Sequence, residues 1–347
     1  MSSETALLTK IRAMQRNLIT ADEYKALENL HTVNQLTDYL KNHPAYAPYF
    51  ADLNAVHISR FEVERRLYEA FNNDFMRVYK FANLKTRKFL KAFAVDFVIL
   101  YIKKNIHALY RDTPSDIDQR GLLEYFRHYS VLDPDRLADA RNLTEVIESL
   151  QGTELYEPLR RIHEQHGEQL IYFETWLDNY FFARLRTQRN RTTDRENKAY
   201  LKDFYGTVMD LLNIATIYRS KKYYHLPDAS IVPFLIPMNW KIDREEVNAL
   251  VHAEDVAGFL EVLRKTTYGH IVDELNSDNI DTICRRYLYR KQKSLSRRMP
   301  QSVAGIGAYF FYRKQEIALL IAVTEGIRYK LSDREKLKYM EEVGKCS

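Results

Sequence analysis

The sequence predicts an all-α protein, and three observations carry that expectation. Glycine and proline number only 10 and 9 among 347 residues, well under their usual shares of about 7% and 5%, so the turn-formers of β-hairpins are scarce. Apolar residues recur at helical spacing along most of the chain. Helix-start signals of one kind appear three times at similar separations. At about 100 to 200 residues per domain, 347 residues make two or three domains. A hydrophobic content of 46% supplies cores for them and argues against disorder.

The first element of each copy is a helix start: Thr20-Ala21-Asp22-Glu23-Tyr24, Asp133-Pro134-Asp135-Arg136-Leu137 and Asp243-Arg244-Glu245-Glu246-Val247. Thr20 with Glu23 and Asp243 with Glu246 have capping-box spacing, and Pro134 takes the first helical position after Asp133. An amphipathic helix broken by a short turn before a second helix comes next. It reads Leu36, Leu40, Tyr46, Tyr49 in the first copy, Val146, Leu150, Tyr156, Leu159 in the second, and Phe259, Leu263, Tyr268, Ile271 in the third. The third copy is one residue shorter between its leucine and its tyrosine. The tyrosines stand 110 and 112 residues apart, and a fixed period of about 111 residues implies a repeat architecture.

A long apolar helix closes each copy, at Phe93 to Ile106, Val208 to Tyr218 and Ala308 to Ile327. Phe89-Leu90-Lys91-Ala92-Phe93 returns as Tyr200-Leu201-Lys202-Asp203-Phe204. Prolines punctuate the copies at Thr113-Pro114-Ser115-Asp116 and from Leu226-Pro227-Asp228 through Ile236-Pro237. Three helical repeat domains are therefore expected, over residues 1–114, 115–232 and 233–347.

Most chemistry is argued against by what the sequence lacks. Lys plus Arg is 52 and Asp plus Glu 47, a net +5 too small to read as a nucleic-acid-binding composition. Cys284 and Cys346 have no partner spacing, so no disulfide framework or zinc site is expected, and a reducing compartment is. Met1 to Gln15 lacks the apolar core of a signal peptide. The apolar runs Phe97 to Ile102 and Ile317 to Val323 fall far below the roughly 20 residues of a membrane span. No phosphate-cradling glycine loop occurs; Gly305-Ile306-Gly307-Ala308-Tyr309-Phe310 has Phe where the third glycine of a dinucleotide fingerprint would stand. His163-Glu164-Gln165-His166 lacks the i, i+4 spacing and third ligand of a zinc site and reads as a solvated helix face. No nucleophile elbow is present. Neither cofactor, metal, small-molecule substrate nor catalysis is expected. The 25 tyrosines and 17 phenylalanines, as in Tyr172-Phe173, Trp176, Tyr180-Phe181-Phe182 and Tyr309 to Tyr312, are read as core.

With the repeats in view, three stretches resemble a known family. Arg16-Asn17-Leu18-Ile19, then Tyr24-Lys25-Ala26-Leu27, Leu36 and Tyr46 form the first. Asp210-Leu211-Leu212-Asn213-Ile214 with Tyr218-Arg219 form the second, and Ala308-Tyr309-Phe310-Phe311-Tyr312-Arg313-Lys314-Gln315-Glu316-Ile317 the third. In order and spacing they are similar to the C subunit of V-type (archaeal and bacterial vacuolar-type) ATPases and ATP synthases, whose eukaryotic counterpart is the d subunit. Leu319 and Ile321 depart from the pattern, standing where the family often has Asn and Arg. The resemblance implies three similar domains in a pseudo-threefold, funnel-like arrangement. It also implies a non-catalytic rotor subunit, peripheral on the cytoplasmic side, that joins the central-stalk subunits to the membrane proteolipid ring and passes torque without nucleotide or ion of its own.

Around such an axis, basic clusters of similar phase in the three copies would form a ring of positive potential. The candidate partner-binding residues are Arg77, Lys85, Arg87 and Lys88; Arg184, Arg186, Arg189 and Arg191; and Arg285, Arg286, Arg290 and Lys291. They are expected to meet acidic partner surfaces or lipid headgroups, against the alternative of solvated helix faces with local acidic partners. Two other classes compete: a helical-repeat scaffold, and a protein binding single-stranded nucleic acid through these arginines with Tyr287 and Tyr289.

Overall fold

The computed structural model describes residues 3–53, 58–110, 132–275 and 279–343, and these residues contain helices, turns and no strand. They gather into two compact units, one of residues 3–170 with 306–343 and one of residues 171–305. The expected boundary near 114 lies outside the described residues. The one near 232 falls inside the second unit.

The first unit begins with α1 (Ser3–Gln15), α2 (Ala21–Glu28), α3 (Val33–Asn42) and the single turn α4 (Ala47–Phe50). The long helices α5 (Arg60–Phe81) and α6 (Leu84–Tyr110) follow. Then come the short α7 (Pro134–Ala138), α8 (Leu143–Ser149) and α9 (Tyr156–His166). The second unit holds α10 (Leu170–Arg191), α11 (Arg195–Lys222), the turn α12 (Asp228–Ile231), α13 (Arg244–His252), α14 (Val256–Lys265), α15 (Ile271–Glu274) and α16 (Ile280–Arg298). The chain returns to the first unit with α17 (Ala304–Arg328) and α18 (Asp333–Val343).

The repeated sequence makes repeated local structure. Thr20 and Asp243 form complete capping boxes with Glu23 and Glu246, and Asp133 caps α7 through the amides of Asp135 and Arg136. A buried aliphatic residue precedes each cap: Ile19, Leu132 and Ile242. A second set of caps, which the apolar pattern does not display, starts the amphipathic helices at Thr32, Asn142 and Asp255. Each such helix ends the same way. Residues His43, Thr153 and Thr266 donate their amides to the carbonyls of Leu40, Leu150 and Leu263, and their side chains accept from the amide two residues on, at 3.1–3.3 Å.

The short helices pack in a shifted order. The α7–α8 pair lies against α6, and α13 and α14 lie on α11 with α15 packed on α14; each set rests on the long helix that closes the preceding copy. The first set rests on the last long helix, α17, through Tyr46 and Ile19. The core of the first unit is aromatic. Phe310 of α17 meets Phe71 and Phe75 of α5 and Phe93 of α6 at 5.4–5.7 Å between ring centroids, and Phe97 meets Phe71 at 4.9 Å. Of the aromatic runs expected in the core, Phe173, Phe181, Phe182, Tyr309 and Phe310 are buried, whereas Tyr172, Trp176, Tyr180, Phe311 and Tyr312 are only half-buried. Interiors so packed have densities like organic crystals and resist shear.

Candidate functional site

Charged residues inside long apolar helices mark the sites worth building. On α17 the polar stretch Arg313-Lys314-Gln315-Glu316 separates two apolar runs, and Arg313 and Glu316 are both only 1% exposed. On α5, Asp74 interrupts the stripe Phe71, Phe75, Val78 and is also buried. These three converge. Arg313 Nη1 donates to Glu316, Arg313 Nε lies 3.2 Å from Asp74 Oδ2, and the guanidinium sits 4.3 Å from the centre of the Tyr46 ring. The Tyr46 hydroxyl donates to Glu316 Oε1 at 2.6 Å, the Ile19 amide donates to Oε2 at 2.6 Å, and the Tyr309 hydroxyl donates to Asp74 at 2.6 Å. Burial alone would oppose the charge on Arg313. Tyr46, Glu316, Tyr309 and Asp74 outweigh it and raise its pKa. Burial likewise raises the Tyr46 and Tyr309 hydroxyls, which stay neutral donors.

A second joint of the same plan lies in the other unit. Asp210 of α11, 2% exposed, accepts from the amides of Trp240 at 3.0 Å and Lys241 at 2.8 Å and from the Tyr268 hydroxyl at 2.9 Å. Burial raises its pKa, and the three donors work against that rise. One turn on, Asn213 holds the Ile236 backbone from both sides: its amide donates to the carbonyl at 3.1 Å and its oxygen accepts from the N–H at 2.8 Å. Glu316 and Asp210 each follow a buried phenylalanine, Phe310 and Phe204, by six residues. The same step from Phe93 reaches Ile99, which is buried in α6. With no acid at that place, Tyr156 is half-buried and donates instead to Glu148 at 3.0 Å.

These joints explain the stretches that carry the family resemblance. Ile19 and Tyr46 of the first stretch meet Glu316 of the third, and Asp210 and Asn213 are the polar residues of the second. Leu319, one of the departures, occupies on α17 the place that Asn213 has on α11 and is 1% exposed in the core. Sequence reading found these residues as a motif but not their work. The signal that would have exposed it is charge set on a helix face that is otherwise apolar: Asp74 beside Phe71, Phe75 and Val78, and the i, i+3 pair Arg313 and Glu316 in line with Tyr309 and Leu320.

The twelve basic candidates are placed unequally. Arg87 is spent on the end of α5, donating to the carbonyls of Tyr79 at 3.1 Å and Lys80 at 2.9 Å. Arg286 and Arg290 both pair with Glu274 at 3.1 Å, and Lys291 pairs with Asp203 at 2.6 Å. Arg285 is half-buried on the same helix. Arg77, Lys85, Lys88, Arg184, Arg186 and Arg191 are exposed. Lys85 and Lys88 have no ion-pair partner among the described residues. Arg186 and Arg189 line a cavity of about 300 Å³ in the second unit, together with Lys202, Phe182 and Met209.

No group of three metal-ligating side chains occurs among the described residues, and none of their helices is long and apolar enough to cross a membrane. Cys284 is a free thiol whose pKa burial pushes up to about 12. Cys346 lies outside the described residues.

The described residues are helical, and Ile19, Tyr46, Arg313 and Glu316 of the motif stretches are bonded to one another. The family follows from comparison: the chain belongs to the ATP synthase (C/AC39) subunit family, whose model matches residues 7–339. It is 25% identical over 336 residues to the A-type ATP synthase C subunit of Pyrococcus horikoshii, covering 95% of this chain and 87% of that protein. The A-type ATP synthase C subunit of Pyrococcus abyssi is 29% identical over 211 residues, 59% of this chain and 56% of that protein. That of Methanothermobacter thermautotrophicus is 25% identical over 276 residues, 79% of this chain and 68% of that protein.

Proposed function

We propose that the chain is the non-catalytic rotor subunit of a rotary A/V-type ATP synthase or ATPase. In this reading it is a socket that joins the central-stalk subunits to the membrane proteolipid ring, transmits torque between ATP chemistry and H+ or Na+ transport, and works peripherally on the cytoplasmic side. The observation that carries it is the Arg313–Glu316–Asp74 joint. There the polar residues of the family motif are closed on their own chain, so they stiffen α17 against α5 and the segment before α2, and offer nothing to a substrate. The shifted packing of short helices on the long helix of the preceding copy, with the first set on the last helix, supports the three-copy, pseudo-threefold reading.

The basic clusters face partners in this proposal, with the exposed Arg77, Lys85, Lys88, Arg184, Arg186 and Arg191 best able to do so. Glu274 and Asp203 already occupy Arg286, Arg290 and Lys291, so reversing the third cluster would also break internal pairs. Affinity purification of the full chain from detergent-solubilised host membranes tests the role. Stalk and proteolipid subunits are expected to arrive together, and a chain recovered without either overturns it. In the purified complex, Lys85→Glu with Lys88→Glu is expected to loosen the coupling of ATP hydrolysis to ion transport; full coupling in an intact complex removes that cluster from the interface.

A further inference from the structure

The link between α5 and α6 combines an acid-free basic stretch with exposed large apolar side chains, whereas the acid-free stretch from Thr282 to Gln315, which holds the α16–α17 link, has no such side chain. From Phe75 to Val95 the chain has no acidic residue and six basic ones, Arg77, Lys80, Lys85, Arg87, Lys88 and Lys91. The two helices run back along each other, since Phe71 and Phe75 meet Phe97 while Tyr68 meets Lys104. Only Ala82 and Asn83 join them. Leu84, at the apex, is 76% exposed, the most exposed large apolar side chain among the described residues, and Phe81 beside it is 45% exposed.

This apex is held rigid. The Ala82 amide donates to the carbonyls of Val78 and Tyr79, Asn83 Oδ1 accepts from the Thr86 amide at 2.9 Å, and Arg87 reaches across to the last carbonyls of α5. Phe81 and Leu84 are therefore presented, with Lys10 set 4.9 Å from the Phe81 ring. The layering is ordered from the tip inward. Apolar side chains stand first, Lys80 and Lys85 are next to them, and Arg77 and Lys88 sit four residues, or about 6 Å, behind Phe81 and Leu84. A body entering an anionic bilayer from water meets phosphates and then acyl chains, so its leading apolar groups pass the headgroups while cations one turn behind stop at them. The counterpart link between α10 and α11 has cations but also Asp194 and Glu196, and no large exposed apolar side chain.

We propose that the α5–α6 apex is a lipid-contact element that seats Phe81 and Leu84 in the interfacial region of an anionic bilayer, with Lys80, Lys85 and Lys88 on its headgroup phosphates. The proposal rests on the reading above only in taking the chain to work beside a membrane. Co-sedimentation of the full chain with phosphatidylcholine vesicles, with and without phosphatidylglycerol, tests it. Binding is expected with phosphatidylglycerol and about a hundredfold less without it. Leu84→Ser, at the 76% exposed tip, and Phe81→Ser with Leu84→Ser, with the folded state of both checked by thermal midpoint, are expected to cut binding with every cation intact, the double variant by about tenfold. Equal binding by the double variant, or binding indifferent to phosphatidylglycerol, overturns the proposal. So does a wild type that ignores vesicles while the same variant weakens co-purification with the host complex in lipid-free detergent, which would assign the apex to a protein. Co-purification by itself reports on the rotor role, so the two ideas fail separately.

Discussion

The segments around Tyr46 and Tyr156 start from one sequence pattern and end in different chemistry. Both tyrosines stand six residues after a buried leucine, beyond a capped amphipathic helix and the same side-chain-closed turn. Tyr46 is fully buried on Glu316, while Tyr156 is half-buried and turned to Glu148 of its own helix set. The long helices differ at one matching position, six residues after a buried phenylalanine: Glu316 on α17 and Ile99 on α6. Where the acid is present it must be answered by donors, because an unpaired buried carboxylate is prohibitively costly. The whole cluster of Arg313, Asp74, Tyr309 and the Ile19 amide follows from that need. In the copy whose long helix has Ile99 there, Tyr156 is half-buried and bonds to Glu148 instead. The buried joint is thus a device for fixing geometry rather than for raising stability, since a buried ion pair is often no better than well-packed apolar groups.

The largest effect should come from breaking that joint. Arg313→Met leaves Glu316 and Asp74 facing each other without a cation and is expected to cost about 3–5 kcal/mol by urea unfolding. An effect under about 1 kcal/mol would mean that the cluster behaves like a surface pair. Next comes the shortened turn of the third copy, where Gly269 follows Tyr268. A Cβ there would lie 2.2 Å from the Arg264 carbonyl oxygen, a backbone atom that cannot swing aside. Gly269→Ala is expected to destabilise by about 1–3 kcal/mol. The first copy, with one residue more in its turn, carries Ala47 after its tyrosine, and Ala47→Gly should cost about 1 kcal/mol or less.

The tyrosines themselves sharpen the comparison. Tyr46→Phe and Tyr268→Phe each strand one lone pair of a buried carboxylate, at about 1–3 kcal/mol. Tyr156→Phe removes a bond made in water, and about 0.5 kcal/mol or less is expected. Equal costs at all three positions would show that the acid on the long helix does not govern the tyrosine's worth.

The helices were legible because the signals that define them are local. Capping boxes at Thr20 and Asp243, the cap at Asp133, and the leucine-to-tyrosine spacing all place helices where they occur. Even the missing residue before Tyr268 was visible, although its structural consequence at Gly269 was not. What stayed hidden were pairings over long separations: Glu316 with Ile19 and Tyr46, and Asp74 with Tyr309. Matching by apolar class discards the polar positions, and so it also misses that His43, Thr153 and Thr266 do one job with two chemistries. The basic clusters show the same limit. Arg87 and Lys88 are neighbours in sequence, yet one closes a helix end and the other is free for a partner, a distinction set by where the α5 carbonyls lie.

The smallest effect follows from that substitution of imidazole for hydroxyl. His43 is 5% exposed, its Nδ1 accepts from the Ala45 amide, and its Nε2 faces Glu23 at 3.7 Å. Burial lowers its pKa below 6.5; Glu316 and Glu23 act to raise it and Arg313 to lower it further, with the neutral Tyr39 and Tyr46 rings packed on either side. A neutral imidazole in the folded state and a protonatable one in the unfolded chain give a definite sign. Stability from this group is fully present above about pH 6.5 and is lost as pH falls from there through the lowered folded pKa, because only the unfolded state takes up the proton. Thermal midpoints measured from about pH 7.5 down to about pH 5 should therefore fall more steeply in the wild type than in His43→Thr. Threonine does the same turn-closing work at positions 153 and 266, so the variant keeps the turn and removes the titration. Parallel pH profiles would assign the slope to other groups and leave His43 as a turn residue only.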